Sequence, residues 1–295
     1  MNMQRIFLGT IALAVTGLGV LGLAGPQTRQ ASAGDTGTFA SVSTAALPSY
    51  DHIVVILEEN KSINEIVGNP AAPFLNSLAK DGATLTKSYG VTHPSEPNYL
   101  ALFSGSTHGI TSDACPVSYP DENLGHQLAT AGKTFAAYTE SLPSVGYTGC
   151  KSGHYRRKIE PWTDFTNVPA SVSQPLTAMP TNYADLPKVS FVVPNLLHDM
   201  HSGSISVGDS WLATHVGPYE QWAKTHNSLL MVTFDEDDHS AKNHIATFLD
   251  GAHVKPGKYS EHVTQYTMLA TLEALNGLPC TEESCTVRPI RDVWH

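Results

Sequence analysis

Positive charge is scarce in this chain. Lysine and arginine number 17 against 27 acidic residues, and no long basic run occurs along the 295 residues. A polyphosphate backbone would be repelled rather than gathered, which excludes a nucleic-acid binder and disfavours static docking on anionic membranes. The four cysteines show no CxxC spacing, so zinc ligation by thiolates has little support. No G-x-S-x-G elbow is present, which argues against an acyl-transfer serine hydrolase. No internal repeat is visible.

The N-terminus carries an export pattern. A mildly basic start, Met1 to Arg5, precedes an apolar run from Ile6 to Ala24 broken only by Gly and Thr. Ala31-Ser32-Ala33 then supplies small residues for cleavage. The alternative is a membrane anchor, since ~20 apolar residues can span a bilayer. The glycines and the A-x-A exit favour a signal peptide over residues 1–33 and a secreted, extracellular chain without a stable membrane anchor. Losing Arg5 and Arg29 leaves 15 basic and 27 acidic residues, a net charge of −12. An even cysteine count on an exported chain suggests disulfides. Three pairings are open, and the preferred one joins Cys115 to Cys150 and Cys280 to Cys285, the second pinning a short C-terminal loop.

Residues 34–50 are small and polar and read as a flexible lead-in. Residues 51–295 are long enough for one catalytic domain with a full core. The β-branched run at 52–57 suits a strand buried on both faces. Further strands are expected at 83–89, 134–139, 189–193, 229–234 and 245–249. Helical spacing marks 71–80, 97–103, 123–131, 209–224 and 263–275. Residues 151–187, rich in Pro, Ser and Thr, read as a loop or lid. Alternating strands and helices predict an α/β fold with a largely parallel central sheet and helices on both faces.

Chemistry-bearing residues follow four of these strands. In an open parallel sheet, ligands bind outside the carboxyl ends of the strands, so these groups would converge. Glu59 and Asn60 follow the first strand, and Asp235 and Glu236 follow the strand at 229–234. Glu58 is expected to alternate outward. Glu59, Asn60, Asp235 and Glu236 are hard oxygen ligands suited to one divalent cation, with Ser95 completing the shell. Ser95 precedes Pro97 and sits near a helix start, where free N–H groups favour an anion. A serine hydroxyl needs a base or metal to become a nucleophile. His198 and His201 flank Asp199; His201 is the favoured acid for the leaving group, with Asp199 orienting it. His244, His253 and His262 read as structural or surface residues.

At these residues the chain resembles the bacterial phosphoesterase family that joins acid phosphatases to non-specific phospholipases C, within the alkaline phosphatase-like superfamily. The matching stretches are HIVVILEEN (52–60), APFLNSLAKDGATLTKSYG (72–90), HPSEPNYLALFSGSTHG (93–109), DMHSGSI (199–205), LLMVTFDEDD (229–238), GAHVKPGKY (251–259) and TMLATLEALNGLP (267–279). Their order is specific where each alone is not. The resemblance implies an alkaline phosphatase-like fold, with Ser95 taking the phosphoryl group. It implies Glu59, Asn60, Asp235 and Glu236 as the metal set, His201 on the leaving-group side, and Asn98 and Lys158 as substrate-binding residues. The Ser95-Glu96-Pro97-Asn98 run also resembles the Thr-x-Pro-Asn run of nucleotide pyrophosphatases. One departure stands out: Ile159 occupies a position where the family usually has His. The metal is left open among Ca, Mg, Mn and Zn. The expected activity is that of a secreted acid phosphatase, acting on small phosphorylated substrates or phosphoinositides through a phosphoserine. The alternatives are a phospholipase C-type diesterase acting on a phospholipid head group, or an impaired phosphate- or metal-binding protein.

Overall fold

The computed structural model describes residues 47–295. The signal-peptide expectation for 1–33, and the lead-in up to residue 46, lie outside the described residues. Tyr50, at the end of that lead-in, is fully buried and donates its hydroxyl to Ala252 O at 2.7 Å, so the domain begins before residue 51.

In chain order the elements are β1 (His52–Glu58), α1 (Ile63–Ile66), α2 (Pro73–Asp81), β2 (Ala83–Tyr89), α3 (Ser95–Ser104), α4 (Leu124–Thr130) and β3 (Phe135–Thr139). A small hairpin follows, β4 (Lys151–Ser152) with β5 (Tyr155–Arg156), then 3-10 turns and β6 (Ser173–Pro175). The chain continues through β7 (Val189–Val193), α5 (Ile205–His215), α6 (Gly217–Ala223), β8 (Ser228–Phe234), β9 (His244–Ile245), β10 (Thr247–Gly251), β11 (Gly257–Val263) and α7 (Gln265–Leu275).

The sheet order is β11-β2-β10-β8-β1-β7-β3-β6, with β9 paired to β2. Pairings β1–β7, β1–β8, β3–β7, β3–β6 and β2–β11 are parallel, whereas β10 runs antiparallel to β2 and β8. The carboxyl ends of β1, β2, β3, β7 and β8 therefore share one edge. Alternation along β1 sends Ile53, Val55 and Leu57 into a core with α3, α4 and α7. Val54 and Ile56 go into the opposite core with α2, α5 and α6. Each fully buried side chain of this kind contributes roughly 1.5–3 kcal/mol. That double burial holds the strand-end loops in register.

Three expectations change. The helix expected over 209–224 is two, broken at Val216, because Pro218 cannot continue the backbone hydrogen bonding of α5. Residues 151–187 are not a loose excursion: Tyr155, Ile159, Trp162 and Phe165 are all buried. A buried Arg157–Asp164 ion pair at 2.8 Å braces the segment. Glu58 does not face outward; it is fully buried, beside the charges of Asp199 and Asp209. Both preferred disulfides form, Cys115–Cys150 and Cys280–Cys285.

Candidate active site

Backbone hydrogen bonds first lock the strand exits together. Glu59 N–H donates to Asp199 O at 2.7 Å, and Asp235 N–H donates to Glu58 O at 3.0 Å. These bonds tie the ends of β7 and β8 to the end of β1. Gln265, at the start of α7, adds a strap: Nε2 donates to Asp235 O at 2.6 Å and Oε1 accepts from Val91 N–H at 3.0 Å. The loop leading to Ser95 is thereby fixed against the β8 exit.

Ser95 is the first residue of α3 and is buried, with Pro94 at the position before it making no side-chain cap. Its hydroxyl does not cap the helix. Oγ lies 2.9 Å from Glu59 Oε2 and 3.0 Å from Glu236 Oε1. The single hydroxyl proton can serve one carboxylate at a time, so a proton acceptor always touches the oxygen. Asn60 adopts a left-handed backbone, φ 53°, which asparagine tolerates. In that shape its N–H donates to Asp235 Oδ1 at 3.1 Å and its Nδ2 donates to Glu236 Oε1 at 2.8 Å. The expected metal set and nucleophile are therefore in mutual contact.

Charge in this cluster is poorly matched. Glu59, Asp199, Asp235 and Glu236 are all buried. Burial first, then the Glu59 charge, holds the Asp235 and Asp199 carboxyls well above the usual range. Burial raises Glu236 also, against the opposing pull of His93. Lys158 Nζ stands 3.5 Å from Glu59 Oε2 and 3.1 Å from Asp113 Oδ2. Burial works against the Lys158 ammonium, yet the Glu59, Asp113 and Asp235 carboxylates outweigh it and raise its pKa. Lys158, Lys61 and His93 are fewer than the buried carboxylates they face, an arrangement that favours a further cation.

The donor chemistry fits a hard divalent cation. Asn60 Oδ1 and Asp235 Oδ2 are buried without hydrogen-bond partners, beside the oxygens of Glu59, Glu236 and Ser95. As they stand, no three His, Cys, Asp or Glu side chains among the described residues surround a common point as ligands. Hydrogen bonds through Ser95 and Asn60 draw them together instead.

Other expectations are placed differently. Asn98 is fully buried, and its side chain is spent on the loop before Ser95. Oδ1 accepts from Val91 and Thr92 N–H, and Nδ2 donates to Thr92 O and Pro94 O. With these four bonds made, Asn98 braces the loop before Ser95 instead of presenting a free amide to the site. Asp199 does not orient an imidazole: Oδ1 accepts the His201 backbone N–H at 2.8 Å, and Oδ2 has no partner. The orienting carboxylate for His198 is Glu140, with Nδ1–oxygen distances of 2.8 and 2.9 Å. The His201 ring lies on the wall of a cavity beside Lys158, and burial holds its pKa below the ordinary value. Ile159 points into the apolar core rather than the site. His244 and His262 stack on Tyr89.

Four contributors were not singled out from sequence. Tyr99 donates its hydroxyl to Glu59 Oε1 at 2.9 Å; its place four residues after Ser95, on the same helix face, was the available signal. His93 bridges Glu236 Oε2 at 2.5 Å and Asp237 Oδ1 at 3.3 Å, and its adjacency to Pro94-Ser95 could have marked it. Asp113 and Gln265 carry no local signal, since only tertiary folding brings them here.

Residues 69–279 match the Phosphoesterase family. A phosphatidylinositol-3-phosphatase of Mycobacterium tuberculosis is 51% identical over 256 residues, 86% of this chain and 86% of its own length. A phosphate-repressible acid phosphatase of Penicillium chrysogenum is 31% identical over 82% of this chain; the match spans 62% of that relative's length. Among solved structures, an alkaline phosphatase superfamily protein from Vibrio parahaemolyticus superposes with a TM-score of 0.56 at 13% identity, over 82% of this chain and 71% of that one. The fold is alkaline phosphatase-like. The chain belongs to the Phosphoesterase family and is a phosphoric ester hydrolase.

Proposed function

We propose that this chain is an exported phosphatase that hydrolyses phosphomonoesters, phosphoinositides among them, through a phosphoserine on Ser95. The contact of Ser95 Oγ with both Glu59 and Glu236 carries the proposal, because it pairs a hydroxyl with proton acceptors at the start of a helix. Glu59, Asn60, Asp235 and Glu236 would hold one divalent cation (Ca, Mg, Mn or Zn), which would screen charge and lower the pKa of a bound hydroxyl.

Ser95 Oγ attacks phosphorus in line as the ester P–O bond breaks. The Ser95 proton passes to a contacting carboxylate oxygen, Glu59 Oε2 or Glu236 Oε1. Lys158 Nζ offers positive charge to the phosphoryl oxygens, and His201 supplies a proton to the departing alcohol. Water then attacks phosphorus and gives a proton back to His201; the bond from phosphorus to Ser95 Oγ breaks, Ser95 takes back the proton held by the carboxylate, and phosphate leaves. Positioning and charge stabilisation supply most of the acceleration.

The relative named phosphatidylinositol-3-phosphatase supports a phosphoinositide substrate, and the acid phosphatase relative supports a broader monoester range. Export belongs to the same proposal, with a mature chain starting at Gly34, which N-terminal sequencing of secreted protein would check. The activity test compares products. Inorganic phosphate released from an aryl phosphate and from phosphatidylinositol 3-phosphate, and abolished by chelator, is expected. Release of a phosphorylated head group from phosphatidylcholine, with no monoester turnover, would contradict it.

A further inference from the structure

A cavity of about 420 Å³ opens beside Lys158, whose Nζ is 3.5 Å from the Glu59 oxygen that Ser95 Oγ contacts; it is lined by Lys151, Arg156, His201, Leu196 and the Cys115–Cys150 disulfide, among others. Its size is that of a small-molecule site, more than a lone phosphate needs. Its charge runs against that of the chain. The sequence has a formal net charge of −10 and only 17 basic residues, yet Lys151, Arg156 and Lys158 meet on this one wall. The single acid among its lining residues, Asp113, is already bonded to Lys158.

The geometry of the two outer cations is more telling than their number. Lys151 and Arg156 are direct cross-strand partners in the β4–β5 hairpin. Like charges directly opposite on a strand pair repel and destabilise it. The hairpin nevertheless holds them there. The disulfide anchors Cys150 beside Lys151, and Arg157 N–H donates to Cys150 O at 3.1 Å. Arg156 Nη1 donates to Gly153 O and Tyr155 O, each at 2.7 Å, which fixes the guanidinium. Among the described residues no bond uses Arg156 Nε or Nη2, or Lys151 Nζ. A held guanidinium opposite an unbonded ammonium, both with open donors, is complementary to an anion.

We propose that this cavity is a second anion subsite. The substrate class is then a phosphomonoester whose scaffold bears another phosphate or comparable anion. Ser95 receives one phosphoryl group, Lys151 and Arg156 grip the second anion, and the connecting scaffold rests on Leu196 and the disulfide. This rests on the phosphatase function proposed above. The second anion can belong to a soluble bisphosphate or to the phosphodiester that links a lipid head group.

The test compares wild type with Lys151→Ala/Arg156→Ala on glucose 6-phosphate, glucose 1,6-bisphosphate and phosphatidylinositol 3-phosphate in phosphatidylcholine vesicles. The expected result is a KM for the bisphosphate raised about ten-fold, with kcat and glucose 6-phosphate turnover unchanged. A matching rise on the vesicles assigns the second anion to lipid; a rise confined to the soluble bisphosphate assigns it to soluble substrates. Equal effects on the mono- and bisphosphate, or none on either, would overturn the proposal. Lys151→Glu guards against misfolding, because the Lys151 side chain makes no hydrogen bond among the described residues, and it should raise the bisphosphate KM as well. If wild type releases no phosphate at all, the phosphatase function fails separately. Calorimetric binding of glucose 1,6-bisphosphate to Ser95→Ala, with and without the two further substitutions, still decides the subsite: weaker binding without the cations supports it, and equal binding overturns it.

Discussion

The Tyr99 hydroxyl donates to Glu59 Oε1 at 2.9 Å, which leaves Oε2 of the same carboxylate to the Ser95 hydroxyl at 2.9 Å. One helix thus carries both the nucleophile and the group that turns Glu59 toward it. Removing that phenol by Tyr99→Phe leaves a buried carboxylate oxygen without its donor. An outer hydrogen bond of this kind is worth about 10–100-fold in metal affinity or activity. The expected outcome is a kcat lowered within that range, with the fold intact by circular dichroism. An unchanged kcat would show that Glu59 needs no such support.

His201 should matter according to the leaving group. Burial holds its pKa below the ordinary histidine value, so less of it is protonated at a given pH than of an ordinary histidine, and that fraction grows as pH falls. The activity carried by His201 is therefore expected to rise toward acid pH. His201→Gln should slow hydrolysis of an alkyl phosphate by about 10²-fold or more, the usual worth of a general acid. It should barely affect p-nitrophenyl phosphate, whose leaving group needs no proton. Steady-state kinetics on the two substrates from pH 5 to pH 8 check both points.

Stability should carry its own pH dependence. Glu160 is fully buried, accepting hydrogen bonds from the Thr139 hydroxyl and, at 2.8 Å, the Tyr155 hydroxyl. Burial pushes its carboxyl up to about 7, against those bonds and the Arg157 charge. The folded state therefore holds the proton more tightly than the unfolded chain. The contribution is complete below about 4.5 and is lost as pH rises through about 7, on the order of 3 kcal/mol at most. Glu160→Gln, which cannot ionise, should flatten the loss of stability between pH 5 and pH 8 in urea titrations. An identical slope in both proteins would assign the dependence elsewhere.

The two disulfides should differ in worth. Cys115–Cys150 closes a separation of 35 residues and Cys280–Cys285 one of 5. Chain-entropy arithmetic gives about 4 and about 2 kcal/mol respectively. Replacing each pair by serine and comparing denaturation midpoints should show the larger loss at Cys115–Cys150. That replacement also frees the hairpin bearing Lys151 and Arg156.

The sheet was legible wherever a strand is buried on both faces. Runs such as Ile53–Leu57 and Leu229–Phe234 carry one polar side chain between them, Thr233, and the acidic and amide residues just after them mark the edge where ligands gather. Strand direction was not legible, because a buried segment such as β10 reads the same whether parallel or antiparallel. The edge strand β11 escaped notice, its alternate residues being polar and exposed. Among site residues, those next to a strand end were found. Those arriving from distant loops, such as Asp113, or from another helix, such as Gln265, were not. Asn98 and Asp199 were found, but their partners are set by loop geometry that spacing alone does not encode.

Ser95 as the phosphoryl acceptor is tested most directly by stopping turnover of an aryl phosphate with acid and mapping phosphate on the digested protein. A phosphorylated peptide containing Ser95 in wild type, and neither label nor turnover in Ser95→Ala, is the expected result. Phosphate release that persists in Ser95→Ala, or label on another residue, would contradict it.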